Sequence, residues 1–152
     1  MRPTPELPRA MTGRQSEPVR EAKYLAVDLD VRSRRSLAPL LAAWPDAQTP
    51  GCLNRRAPRW LVLSGLTAPK ARSKARDTAD FRLSELVRAI ENLPRVARRC
   101  WNEASHRTFD IGIEGPPGPC RGTGIPVSQR VIEAVARVGG RIVITVYPPG
   151  PE

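Results

Sequence analysis

The chain has 152 residues, a hydrophobic fraction of 40% and a formal net charge of +10. That length is enough for one domain that buries a core without disulfides or metal. No stretch approaches the ~18 apolar residues of a membrane-spanning helix, the first twenty residues lack the apolar run of a secretory signal, and the odd, widely spaced Cys52, Cys100 and Cys120 outline neither a disulfide framework nor a Cys-x-x-Cys site.

Residues 1–22 hold prolines and scattered charges without periodicity and read as a disordered tail, with Met11 an alternative start. The domain proper is expected over 23–148, with 149–152 a short C-terminal tail. Its first strand is Tyr24 to Val31. Leu25, Val27, Leu29 and Val31 make one face, and Tyr24, Ala26, Asp28 and Asp30 the other. Ser36 is placed to cap a short helix over Leu37 to Trp44, which Pro39 tolerates in its first turn and Pro45 ends.

Residues 45–58 read as an irregular connection, and Trp60 to Leu63 as a short buried strand. A basic loop follows over 65–77. Asp77 or Asp80 is expected to cap the next helix, whose apolar stripe runs through Leu83, Leu86, Val87, Ile90 and Leu93. The stripe continues at the same spacing through Val96, Ala97, Cys100, Trp101 and Ala104, and Pro94 divides it into two helices or kinks one.

The last third of the chain decides the fold class. Phe109, Ile111 and Ile113 alternate with Asp110, Gly112 and Glu114 in a strand from Arg107 to Glu114. A Gly/Pro loop leads to a helix from Ser128, the expected cap, to Val138, and Gly139 suits a left-handed helix stop. The strand Ile142 to Tyr147 closes a βαβ unit. The order β-α-β-α-α-β-α-β predicts an α/β domain, at the border of α+β, with a mixed sheet of four to five strands and helices mainly on one face.

Three surfaces invite a functional reading. Asp28, Asp30, Asp110 and Glu114 lie on the polar faces of two strands. If those strands are neighbours, the carboxylates are ~5 Å apart across the ladder. Such a face could meet a basic partner, hold a hard divalent cation through oxygen ligands, or be answered by Arg32, Arg107 or Arg141. An ordinary solvent-facing strand side is the plain alternative. The second surface is basic: Arg55, Arg56, Arg59, Lys70, Arg72, Lys74 and Arg76 around the second strand, with Arg95, Arg98 and Arg99 on a helix. Phosphate backbones attract such patches. Of the 25 cationic residues all but Lys23, Lys70 and Lys74 are arginine, a bias that GC-rich codons also produce, and aromatics are only 5%. A solvated arginine-rich surface is the plain reading of this patch, and without stacking aromatics or a known module the alternative it leaves is nucleic-acid binding of a non-specific kind. The third is the loop carrying Gly118, Gly122 and Gly124 before the last helix, which lacks the Gly-Lys-Ser/Thr ending of a phosphate loop and reads as a connection.

No catalytic residue stands out. His106 follows a helix end and suits its dipole, Cys100 lies on an apolar stripe, and Cys120 has no activating neighbour.

Four segments together carry a resemblance: Tyr-Leu-Ala-Val-Asp-Leu-Asp-Val-Arg-Ser at 24–33, Leu-Val-Arg-Ala-Ile-Glu-Asn-Leu-Pro at 86–94, Arg-Thr-Phe-Asp-Ile-Gly-Ile-Glu at 107–114, and Gly-Gly-Arg-Ile-Val-Ile-Thr-Val-Tyr at 139–147. The chain is similar over roughly residues 23–148 to small bacterial domains of unknown function that pair a Phe-Asp-Ile-Gly strand with a terminal helix, glycine turn and strand ending in Tyr. The resemblance implies an immunity-type or accessory binding protein and transfers no catalytic residue. That pattern has a strand pair where this chain shows only Trp60 to Leu63. The expectation is a cytoplasmic bacterial binding protein, not an enzyme, that contacts another protein through Asp28, Asp30, Asp110 and Glu114, with no cofactor, no metal and no membrane contact. A nucleic-acid-associated protein and a small carboxylate-metal enzyme are the alternatives.

Overall fold

The computed structural model describes residues 21–44, 53–57, 60–66, 77–116 and 124–150. The N-terminal segment to residue 20, residues 67–76 of the basic loop, Cys52, Cys120 and the Gly/Pro loop over 117–123 lie outside the described residues. The chain is of mixed α and β structure. Its elements are β1 (Lys23–Ser33), α1 (Ala38–Ala43), β2 (Leu53–Ala57), β3 (Trp60–Leu66), α2 (Ala79–Glu91), α3 (Arg95–Glu103), β4 (His106–Glu114), α4 (Gln129–Arg137) and β5 (Arg141–Tyr147). The strands form one sheet in the order β2-β3-β1-β4-β5. β1 lies between β3 and β4 and is antiparallel to both, whereas β4 and β5 run parallel. The stretch 53–57, read from sequence as irregular, pairs antiparallel with β3.

The alternation read in β1 and β4 sets the sheet faces. Val27, Leu29 and Val31 of β1 share a face with Phe109 and Ile111 of β4, and all five are buried. Leu40 of α1, the buried side chains of α2, Trp101 of α3, and Val131 and Val135 of α4 belong to the same cluster, so the helices lie on that face. One detail departs from the alternation. A bulge between Tyr24 and Ala26 places Tyr24 opposite Ile113, packed against the core, and leaves Leu25 42% exposed. A bulge inserts one unpaired residue and so exchanges the faces on either side of it.

The helices begin and end for local reasons, not always those expected. Thr78, not Asp77 or Asp80, caps α2, its Oγ1 accepting from the Phe81 N–H at 3.2 Å. Asp77 is instead held by Arg82, whose Nη2 donates to Oδ2 at 2.8 Å. Asp80 accepts from the backbone N–H of Ser128 at 2.6 Å, which ties the start of α4 to α2. Ser128 occupies the N-cap of α4, yet its side chain makes no capping bond. Ser36 Oγ accepts from the Ala38 N–H at 3.2 Å, one residue ahead of the N-cap position that Leu37 takes in α1. Pro94 divides the long apolar stripe into α2 and α3 and is itself the N-cap of α3. Val96, at stripe spacing, is 68% exposed, because α3 turns Ala97 and Trp101 inward.

The turn after α4 is a complete Schellman stop. Gly140 N–H donates to Val135 O and Gly139 N–H to Ala136 O, both at 2.9 Å. Gly139 takes φ +74°. Gly140 is required for another reason: a Cβ there would stand 2.8 Å from Phe109 Cδ2 and nearer still to Cε2. The same corner holds Trp101, wholly buried, whose Nε1 donates to Val138 O at 2.9 Å and whose ring meets Phe109 edge-on at 6.4 Å between centroids. Burial of an aromatic of this size is worth about 3–5 kcal/mol when lost to alanine.

Candidate binding face of the sheet

The sheet face opposite the helices is built from the even-numbered residues of β1 from Ala26 onward, the even-numbered residues of β4 and the odd-numbered residues of β5, with Lys23 and Leu25 joining it before the bulge. Asp28 is registered directly against Asp110, and Asp30 against Thr108. On the other side of β4, Thr108 is registered against Arg141, Asp110 against Val143 and Gly112 against Thr145. Three of the four expected carboxylates are therefore neighbours. Glu114 lies two pleats beyond Asp110 along β4, about 13 Å at ordinary strand rise. It is tied there, accepting from the Gly150 N–H at 2.9 Å and meeting Lys23 Nζ at 3.8 Å.

The environment of each acid follows from its register. Both oxygens of Asp110 accept from Thr145 Oγ1, at 2.8 and 2.9 Å. Asp28 is half-buried, and its carboxyl is held above the usual aspartate range by desolvation first, then by the charges of Asp30 and Asp110. Two of the arginines expected to neutralise these acids make their bonds to other groups. Arg141 Nε donates to Thr108 Oγ1 at 2.9 Å. Arg107 stands on the helix side, and its Nη1 donates to the carbonyls of Trp101 at 3.3 Å and Asn102 at 3.2 Å, at the C-terminal end of α3. Arg32 is exposed and registered against His106.

Sequence reasoning missed the apolar border of this face. Gly112 has no side chain, and the Tyr147 ring and Leu25 close over the space: a Cβ on Gly112 would lie 3.4 Å from Tyr147 Cε2 and 3.8 Å from Leu25 Cβ. Leu25 and Tyr147 are 42% and 46% exposed. A glycine inside a strand often marks such a close approach, and that was the signal available. The face therefore has an acidic centre beside an exposed apolar border, within a chain of net charge +10.

The basic surface is spent in part on the fold. Arg98 Nη1 donates to Ile90 O at 2.7 Å, at the end of α2. Arg99 and Arg35 both bind Glu103, at 2.9 and 2.7 Å, and these two bonds hold the Glu103 carboxyl below the usual range. Arg95 is exposed at the start of α3. Arg55 and Arg56 are registered on β2 against Val62 and Leu61, while Arg59, Lys70, Arg72, Lys74 and Arg76 lie outside the described residues. His106 opens β4, and Cys100 is partly buried with its Sγ 3.3 Å from Ser36 O and its thiol pushed up chiefly by burial. Among the described residues, no group of three or more His, Cys, Asp and Glu side chains is placed to hold a metal ion, and no helix is long and apolar enough to cross a membrane.

Comparison with protein-family models, with curated proteins and with solved structures finds no match to this chain.

Proposed function

We propose that the chain is a non-catalytic protein-binding domain of the immunity or accessory type, and that the sheet face around Asp28, Asp30 and Asp110 is its contact surface. The observation that carries this reading is the direct pairing of Asp28 with Asp110. Like charges opposite each other on a ladder are destabilising. Desolvation adds to the cost for Asp28. A cationic group from a partner would relieve the repulsion and offset the desolvation by its attraction. The exposed Leu25 and Tyr147 beside them supply the apolar area that a contact needs. The partner this face fits is a protein surface with one or more basic side chains next to an apolar patch.

Affinity capture from a bacterial host lysate, with and without nuclease and at low and moderate salt, tests the reading. Recovery of one stoichiometric protein that survives nuclease is expected. Recovery of nucleic acid that salt removes would assign the +10 charge to the basic surface instead, since phosphate contacts weaken steeply with salt.

A further inference from the structure

β5 is the last strand of the sheet, with β4 on one side and no strand of the described residues on the other. Natural edge strands are guarded by lysine, proline, a bulge or a short length. β5 has seven residues, Arg-Ile-Val-Ile-Thr-Val-Tyr, with neither lysine nor proline. Its pairing with β4 runs without interruption from Thr108↔Arg141 to Glu114↔Tyr147. Nothing in it discourages a further strand.

The free edge has a definite pattern. Tyr147 O accepts from Gly115 N–H at 2.9 Å, so the backbone groups of Tyr147 point to β4. By the two-residue alternation of a strand, those of Arg141, Val143 and Thr145 do so too. The N–H and C=O groups of Ile142, Ile144 and Val146 therefore point outward along the open edge. The side chains of the same three residues share the helix-side face with Phe109, Ile111 and Ile113. Ile144 is 60% exposed and Val146 66%.

We infer that β5 pairs antiparallel with β5 of a second copy of the chain, about a two-fold axis through Ile144. That register is self-complementary in three respects. Ile144 meets Ile144 of the second copy and Ile142 meets Val146, so each outward N–H finds an outward C=O. The exposed apolar side chains cover one another and extend the core. The one charge on the strand, Arg141, falls opposite Tyr147 of the other copy, and the two arginines are about 20 Å apart at strand rise. A shift by one residue would set outward-facing groups against inward-facing ones, and of the registers that avoid this the one centred on Ile144 alone pairs all three outward residues of both copies. Seven-residue edges bury less than the roughly 1,200 Å² of a standard stable interface. The pairing is therefore a weak, concentration-dependent dimer.

Sedimentation velocity of the full chain, from about 10 µM to about 1 mM, reads this directly. The expected result is a monomer–dimer equilibrium that Ile144→Lys abolishes, with the circular dichroism spectrum retained, because the substitution sets two ammonium groups together at the axis. A second measurement does not depend on that variant folding. In an antiparallel hydrogen-bonded pair the Cα atoms are about 5.5 Å apart, within disulfide reach. Mild oxidation of Ile144→Cys should give a covalent dimer well above the background of the parent chain and its native cysteines. A chain that stays monomeric throughout, a folded Ile144→Lys variant that dimerises as before, or an Ile144→Cys variant no more cross-linked than its parent would each overturn the inference.

Discussion

Asp28 and Asp110 are direct cross-strand partners in the middle of the β1–β4 ladder, on the face away from the helices. Asp110 has Thr145 as a donor to both its oxygens. Asp28 is the member whose carboxyl is raised, by desolvation and then by Asp30 and Asp110. The pair is thus a local expense to the fold, and this has a pH signature.

A carboxyl raised in the folded state binds its proton more tightly there than in the unfolded chain, so its ionisation opposes folding. The cost is absent below the unfolded value near 3.8, develops as pH rises through the higher folded value, and is constant above it. Asp28→Asn removes the ionisation. At neutral pH the variant should be more stable than the parent by about 0.2–1 kcal/mol, the size of a cross-strand pair term. The difference should shrink as pH falls toward the unfolded value. Urea unfolding of both chains across this range checks it, and a variant less stable than the parent at neutral pH would show that Asp28 is satisfied by its surroundings.

Glycines 139 and 140 should differ in how they fail. Gly140→Ala drives a methyl into the buried ring of Phe109 and against Val135 Cγ1, 3.1 Å away, so overpacking of about 1–3 kcal/mol is expected. Gly139→Ala meets backbone strain at φ +74° of about 1–2 kcal/mol. The Trp101–Phe109 contact lies against Gly140, so the near-ultraviolet signal of Trp101 should change in Gly140→Ala and much less in Gly139→Ala. Equal changes in both would contradict the separate roles.

Tyr24 presents a buried hydroxyl without a hydrogen-bond partner among the described residues, and its pKa is pushed up to about 12, by desolvation first and then by the charge of Asp77. Removing an unsatisfied buried hydroxyl leaves packing intact. Tyr24→Phe should therefore match or exceed the parent in stability, by up to about 1–3 kcal/mol. Thermal unfolding decides this, and a clear loss would mean the hydroxyl is bonded in solution. Absorbance titration of the parent should show a tyrosine ionising only near pH 12.

What the sequence disclosed was set by periodicity. Val27, Leu29 and Val31 against Asp28 and Asp30, and Phe109 and Ile111 against Asp110, assign two sheet faces without knowledge of the partner strand. Gly139 at the end of an amphipathic helix is equally local. Features that depend on a tertiary neighbour were hidden. The bulge that exchanges Tyr24 and Leu25 exists only because β4 pairs with β1. Asp80 is taken by Ser128, 48 residues away, which leaves Thr78 to cap α2. Arg107 and Arg141, read as counter-ions for the acidic face, bind α3 carbonyls and Thr108. β2 was hidden because Leu53–Ala57 has no apolar alternation of its own, and its pairing is supplied by β3.

The proposal of an acidic contact face is tested most directly by partner capture with Asp28→Lys compared with the parent chain. Lysine at this position faces Asp110 and relieves the like-charge pair, so the variant should fold, as circular dichroism and thermal unfolding would register. The stoichiometric protein captured by the parent should be lost from the variant. Capture of the same protein in equal yield by a folded Asp28→Lys variant would contradict the assignment of this face.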